Sequence, residues 1–180
     1  QRIKPRWTLV MDDRALAVSL RRQGYRVIYR AYRQDDARLH ETMTPAQFIA
    51  EHRVYADDGL VVQALCEPVV TTPDKARQLV NWCVRLLESA PPHMRLCLPN
   101  FSTGNPHEAL IEGGAVDPLL RALRPGDILG LHEYANHGGI HESWHIGRYR
   151  RWLTRARAIG ASVPEVVLTE TGFDSGGGGG

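Results

Sequence analysis

Two glutamates stand at positions where catalytic groups are commonly kept. Residues 164–174 read Pro-Glu-Val-Val-Leu-Thr-Glu-Thr-Gly-Phe-Asp, a β-branched apolar run after a turn signal that breaks off at Glu170. Residues 59–68 read Gly-Leu-Val-Val-Gln-Ala-Leu-Cys-Glu-Pro, a second apolar run that stops at Glu67 before a helix breaker. A carboxylate at the C-terminal tip of a buried parallel strand is where an α/β barrel places its chemistry. Two such carboxyl groups facing each other can divide the work of glycoside hydrolysis. One protonates the leaving oxygen, and the other attacks the anomeric carbon or activates water. Taken singly, each glutamate reads equally well as an exposed residue at the start of a loop. The pair, in matching contexts, is the stronger signal.

Further polar residues fall at predicted strand tips. His132 and Tyr134 alternate onto one strand face, so both can point into the same site. By the same alternation Glu67 shares a face with Leu65 and Gln63, and Glu170 with Leu168 and Val166. Arg30 can hold a nucleophilic carboxylate ionised by its charge, or lie on the surface. Asn100 can bind a sugar hydroxyl or form a turn, Asp12 can cap a helix or face the site, and Trp144 can stack on a sugar ring or pack.

A competing pattern is His141-Glu142-Ser143-Trp144-His145, which fits the His-Glu-x-x-His arrangement of zinc metallopeptidases. Two histidines four apart on a helix share a face and can bind zinc, with the glutamate as general base. Here the pattern lies at the ragged start of a predicted helix, beside Gly147, and lacks the third histidine of the extended motif.

Composition narrows the field. The chain has 180 residues, one domain by length, and a formal net charge of +2. Nothing in that balance calls for nucleic acid or an acidic membrane surface. No apolar run approaches the roughly 18 residues of a membrane span, and no signal-peptide pattern is visible. Three cysteines, Cys66, Cys83 and Cys97, are too few and too irregular for a disulfide framework or a zinc knuckle. The arginines near the start and over 148–157 read as solvated helix faces. Residues 1–175 form one barrel-like domain, and 176–180 are a low-complexity glycine tail.

The elements that must position the glutamates are short and regular. Strands are predicted over 7–11, 25–32, 60–65, 95–98, 128–134 and 166–169, and helices over 14–23, 45–52, 73–89, 116–123 and 143–158. Thr44-Pro45 and Thr72-Pro73 supply a capping threonine and a proline in the first turn. Strict alternation of strand and helix means parallel strands with crossover helices. A doubly wound sheet and a barrel both fit. No Gly-x-Gly-x-x-Gly follows the first strand and no phosphate loop is present, which removes the main nucleotide-binding readings. Polar residues spread over many strand tips favour the barrel: an α/β fold of (β/α)8 type, incomplete, with about six βα units.

At this point a family resemblance enters. Leu65-Cys66-Glu67-Pro68 resembles the strand-four tip of the clan A glycoside hydrolases, which usually reads Asn-Glu-Pro. Thr169-Glu170-Thr171-Gly172 resembles their strand-seven tip, and Leu131-His132-Glu133-Tyr134 their strand six, where a tyrosine near the nucleophile is common. The resemblance implies a retaining O-glycosidase with Glu67 as general acid/base and Glu170 as nucleophile. It implies His132, Tyr134, Asn100, Arg30 and Trp144 as sugar-contacting neighbours, a carbohydrate substrate, and no metal or cofactor. One offset places both glutamates: if the barrel's first strand is missing, the third and sixth visible strands become four and seven. Two departures stand out. Cys66 replaces the asparagine whose amide grips the sugar 2-hydroxyl, and a thiol is a poor substitute. Strands one and eight are absent, with the strand-eight tryptophan, and the edges so exposed invite self-association. These departures also suit a barrel that binds carbohydrate without cleaving it.

Overall fold

A computed structural model describes residues 5–136 and 145–174. Strands and helices alternate along the chain. β1 is Thr8–Met11, α1 Arg14–Arg22 and β2 Val27–Arg30. The short α2, Leu39–Thr42, precedes α3, Pro45–Asp57, and β3, Val61–Gln63. α4 is Pro73–Ser89 and β4 Arg95–Phe101, followed by the short α5, Glu108–Glu112, and α6, Asp117–Ala122. β5 is Ile128–Asn136, α7 Tyr149–Ala158 and β6 Glu165–Asp174.

The six strands lie side by side in chain order and every neighbouring pair is parallel. The order never reverses, so there is no switch point of the doubly wound kind. The sheet is the wall of a half-barrel. On its concave side Leu9, Ile28, Val61, Cys97, Ile128 and Val167, one residue from each strand, form a single apolar layer with Trp7. On its convex side the helices pack over a larger cluster. α4 contributes Ala76, Leu79, Val80, Cys83, Leu86 and Leu87, which recur at helical spacing and are buried. α7 contributes Trp152 and Ala156, and the Trp152 ring stacks on Phe101 of β4. Each large apolar side chain so covered contributes about 1.5–3 kcal/mol.

The sheet curls far enough for its two ends to touch. Glu165, opening β6, accepts hydrogen bonds from Trp7 Nε1 (2.9 Å) and from both terminal nitrogens of Arg26 (3.0 and 2.7 Å), just before β1 and β2. The Arg26 guanidinium also lies over the Trp7 ring, 3.8 Å from its centre. At the other rim Arg30 of β2 reaches Glu170 of β6 (3.3 Å).

Helix starts follow local chemistry where local chemistry suffices. Thr44 and Gln47 cap α3 reciprocally with Pro45 in its first turn, and Thr72 caps α4. Asp13, not Asp12, caps α1. The helix expected from 143 instead begins at Tyr149. Its cap comes from the sheet: buried Glu133 of β5 accepts from Gly147 N and Tyr149 N, both at 2.6 Å. Strands β4, β5 and β6 run further than expected, and α5 was not foreseen. The glycine tail, His141, Glu142, Ser143 and Trp144 lie outside the described residues. His145 is buried in a bend ahead of α7 and not on it.

Candidate active site

The site lies at the C-terminal ends of the strands. All four non-glycine residues with positive φ among the described residues gather there: Asp12 after β1, Leu65 and Glu67 after β3, and Asn100 in β4. Such conformations cost about 1–3 kcal/mol each and persist where the surroundings fix them. Here hydrogen bonds do so. Past Gln63 the chain leaves regular strand geometry yet stays pinned to β4 through Ala64 N to Cys97 O and Glu67 N to Asn100 O, both 2.9 Å. The tip of β3 therefore aims Glu67 by a fixed turn, not by strand alternation.

Asn100 is the peg of this arrangement. It sits in a bulge of β4, where Pro99 pairs with Gly130 and Phe101 with Leu131. Its side-chain amide donates to the carbonyls of Ala64 (3.4 Å), Leu65 (3.2 Å) and Cys97 (3.1 Å). Its oxygen accepts from Thr169 Oγ1 (3.0 Å), next to Glu170. Asn100, expected either to bind a sugar hydroxyl or to form a turn, is fully buried, with its side-chain amide and oxygen engaged within the protein. It ties the strand tip carrying Glu67 to the strand carrying Glu170 from below.

A second bulge, between Leu131 and His132, pairs His132 of β5 with Glu170 of β6. His132 is the junction of the site. Its Nδ1 lies 2.9 Å from Glu67 Oε1 and 3.7 Å from Glu170 Oε2. Nδ1 is thus the ring nitrogen that faces both carboxyl groups. The ring is fully enclosed, whereas the side chains of Glu67 and Glu170 are 46% and 33% exposed. Solvent thus meets the carboxylates first, with the imidazole behind them.

Glu170 is held at both oxygens. Tyr134 OH donates to Oε2 (3.1 Å) and Arg30 Nη1 to Oε1 (3.3 Å). Arg30 is itself fixed by Asp36, which takes Nε (3.2 Å) and Nη2 (3.1 Å) on one oxygen. Burial pushes the Asp36 carboxyl up despite the opposing pull of Arg30. Burial and the bond to Glu170 raise the Tyr134 phenol above its usual range, so it remains a donor. Beside them lies Cys66, whose thiol burial pushes up to about 12. A ligating atom from each of Cys66, His132 and Glu170 lies within 4.8 Å of the other two.

The structure thus brings together Glu67, Glu170, His132, Tyr134 and Arg30, places Asn100 beneath them, and leaves Trp144 outside the described residues. Asp36 was missed, because its role depends on the tertiary reach of Arg30. Thr103 was missed as well. Its hydroxyl accepts from Tyr134 N (2.7 Å) and lies 3.3 Å from His132 O, anchoring both residues. Thr103 also walls a neighbouring cleft of about 580 Å³ between Val70-Thr71 and Ser102-Asn105, a volume in the range of small-molecule sites. Comparisons with protein families, with curated proteins and with solved structures find no match to this chain.

Proposed function

We propose that the chain is a glycoside hydrolase domain, an incomplete (β/α)8 barrel that cleaves O-glycosidic bonds by retaining double displacement. The observation that carries this reading is the convergence of Glu67 and Glu170 on one nitrogen of His132. Their nearest oxygens cannot be further apart than the sum of the two distances to Nδ1. That bound is compatible with the roughly 5–5.5 Å separation of retaining enzymes.

The surroundings divide the roles. Glu170, gripped by a guanidinium and a phenol, suits the ionised nucleophile. Glu67, bonded to His132 and open to solvent, is left as the proton carrier. In the first step Glu170 attacks the anomeric carbon while the bond to the leaving oxygen breaks and the Glu67 proton passes to that oxygen. In the second, water gives its proton to Glu67 as its oxygen displaces Glu170 from the sugar. His132 keeps the two carboxyl groups in register. This chemistry calls on no metal or cofactor.

The experiment is a screen of aryl glycosides with the wild-type chain, Glu170→Gln and Glu67→Gln. A fluorosugar should trap a covalent adduct on Glu170, read by intact mass. Turnover unchanged in both variants would sink the proposal. Cys66 favours a second reading, a barrel that binds carbohydrate without cleaving it, since the thiol replaces an amide donor. In that case no variant changes turnover, because there is none, and Glu67→Gln keeps its affinity for sugar.

A further inference from the structure

We propose that Cys66, His132 and Glu170 form a binding site for one thiophilic divalent cation, with zinc as the type case, on the floor of the strand-tip site. The cation claim stands on the side-chain cluster alone. Its consequence for turnover rests on the reading of Glu170 as nucleophile.

The donor set is the first argument. A thiolate, an imidazole and a carboxylate give three protein ligands of the types zinc prefers, with a fourth position open to water. Their ligating atoms already lie within 4.8 Å of one another. Two ligands about 2.0–2.3 Å from a tetrahedral ion stand about 3.3–3.8 Å apart. His132 Nδ1 and Glu170 Oε2, at 3.7 Å, are within that range before any ion enters. Drawing in the sulfur asks for a contraction of at most about 1.3 Å.

The ligands are also held. Cys66 lies between Leu65 and Glu67, two residues at positive φ on a tip pinned to β4. Glu170 is fixed by Tyr134 and Arg30. The His132 ring is fully buried on β5. Fixed ligands lose little freedom on binding, which is what distinguishes a site from a chance grouping.

Charge acts in the same direction. Arg30 takes Oε1 of Glu170, while Oε2, which accepts from Tyr134 OH, lies 3.7 Å from His132 Nδ1. Glu67 Oε1, 2.9 Å from Nδ1, adds a further negative group beside the cluster. On binding, the Cys66 thiol gives its proton to solvent, Nδ1 presents its lone pair, and the ring proton resides on Nε2. A cation so placed covers the oxygen with which Glu170 would attack a sugar. Metal and glycoside therefore exclude each other, and a chelator raises turnover of metal-loaded protein.

Cobalt(II) titration of the metal-free chain tests this. Wild type should bind one ion, give a thiolate-to-cobalt charge-transfer band, and lose that band when zinc is added. Cys66→Ala should abolish the band and weaken zinc binding by at least about 100-fold, while Cys83→Ala, which removes a buried thiol far from the cluster, should change neither. Glu170→Gln should weaken binding without removing the band, and circular dichroism confirms that each variant is folded. An absent band in wild type, or one that survives in Cys66→Ala, would overturn the site. Binding is read without substrate. Metal bound by a chain that hydrolyses nothing counts against the glycosidase reading alone, and hydrolysis without binding counts against the metal site alone.

Discussion

The Asn100 side chain occupies the space that a side chain on residue 130 would need. A Cβ added to Gly130 would overlap Asn100 Oδ1 and stand only 2.8 Å from Cys97 Sγ. Glycine at 130 is therefore a condition for the buried peg that ties the β3 tip to β6. Gly130→Ala should destabilise the chain by about 1–3 kcal/mol, the usual penalty for overpacking. Asn100→Ala should cost a similar amount, since it strips the donor from buried carbonyls of the β3 tip. In a double-mutant cycle by urea unfolding, Gly130→Ala should cost less in the Asn100→Ala background than in wild type. Additive costs would show that the two residues do not compete for one space.

The curl of the sheet depends on Glu165 and hence on pH. Burial works to raise its carboxyl, but hydrogen bonds from Arg26 and Trp7, with the charges of Arg26 and Arg6, outweigh that and hold it below the usual range. The folded value lies below the unfolded one. The stabilisation is thus fully present above the unfolded value, about 4.3, and is lost as pH falls through the folded one. Glu165→Gln should cost about 1–2 kcal/mol at neutral pH, with the gap to wild type closing in acid. A gap that stays constant down to pH 2 would assign the loss to packing.

Arg30 couples the site to a buried carboxyl. Asp36 is the opposite case to Glu165: its folded value is raised, so ionising it weakens the fold as pH climbs through the window above the unfolded value, about 3.9. Arg30 offsets part of that penalty. Arg30→Met keeps much of the volume and removes the charge, pushing Asp36 higher and extending the destabilising window upward. Unfolding midpoints of variant and wild type should converge near pH 3 and diverge toward neutrality. Equal separation at both ends would mean that Arg30 acts through its stem and not its charge.

Much of this was legible in the chain. Six apolar runs separated by capped helical segments dictate six parallel strands. Glu67 and Glu170 are readable because each ends such a run. The rest depends on contacts no local pattern carries. Asn100 reads as a turn residue, yet a bulge and a distant glycine turn its amide inward. The start of α7 is hidden because its cap, Glu133, comes from a strand. Alternation brings His132 and Tyr134 to the site correctly. The exact meeting of His132 with two carboxylates, however, needs the bulge after Leu131 and the strained tip at Glu67. The grip of Glu165 on Trp7 and Arg26 joins residues at opposite ends of the sequence and leaves no trace in either segment.

Tyr134 offers the sharpest kinetic test of how the proposed nucleophile is held. Its phenol donates to Glu170 Oε2, and its upward shift keeps the proton in place through neutral pH. A raised folded value means that the bond's contribution is complete below the unfolded value, about 10, and is lost as pH rises through the folded one. Tyr134→Phe removes this donor and leaves Arg30 as the remaining grip on the carboxylate. On the glycosidase reading, kcat should fall by about 10- to 100-fold through misorientation of the attacking oxygen, with KM little changed. Wild type should show an alkaline limb in kcat that Tyr134→Phe lacks. A variant with wild-type kcat and the same alkaline limb would remove Tyr134 from the mechanism and leave its bond to Glu170 a matter of packing.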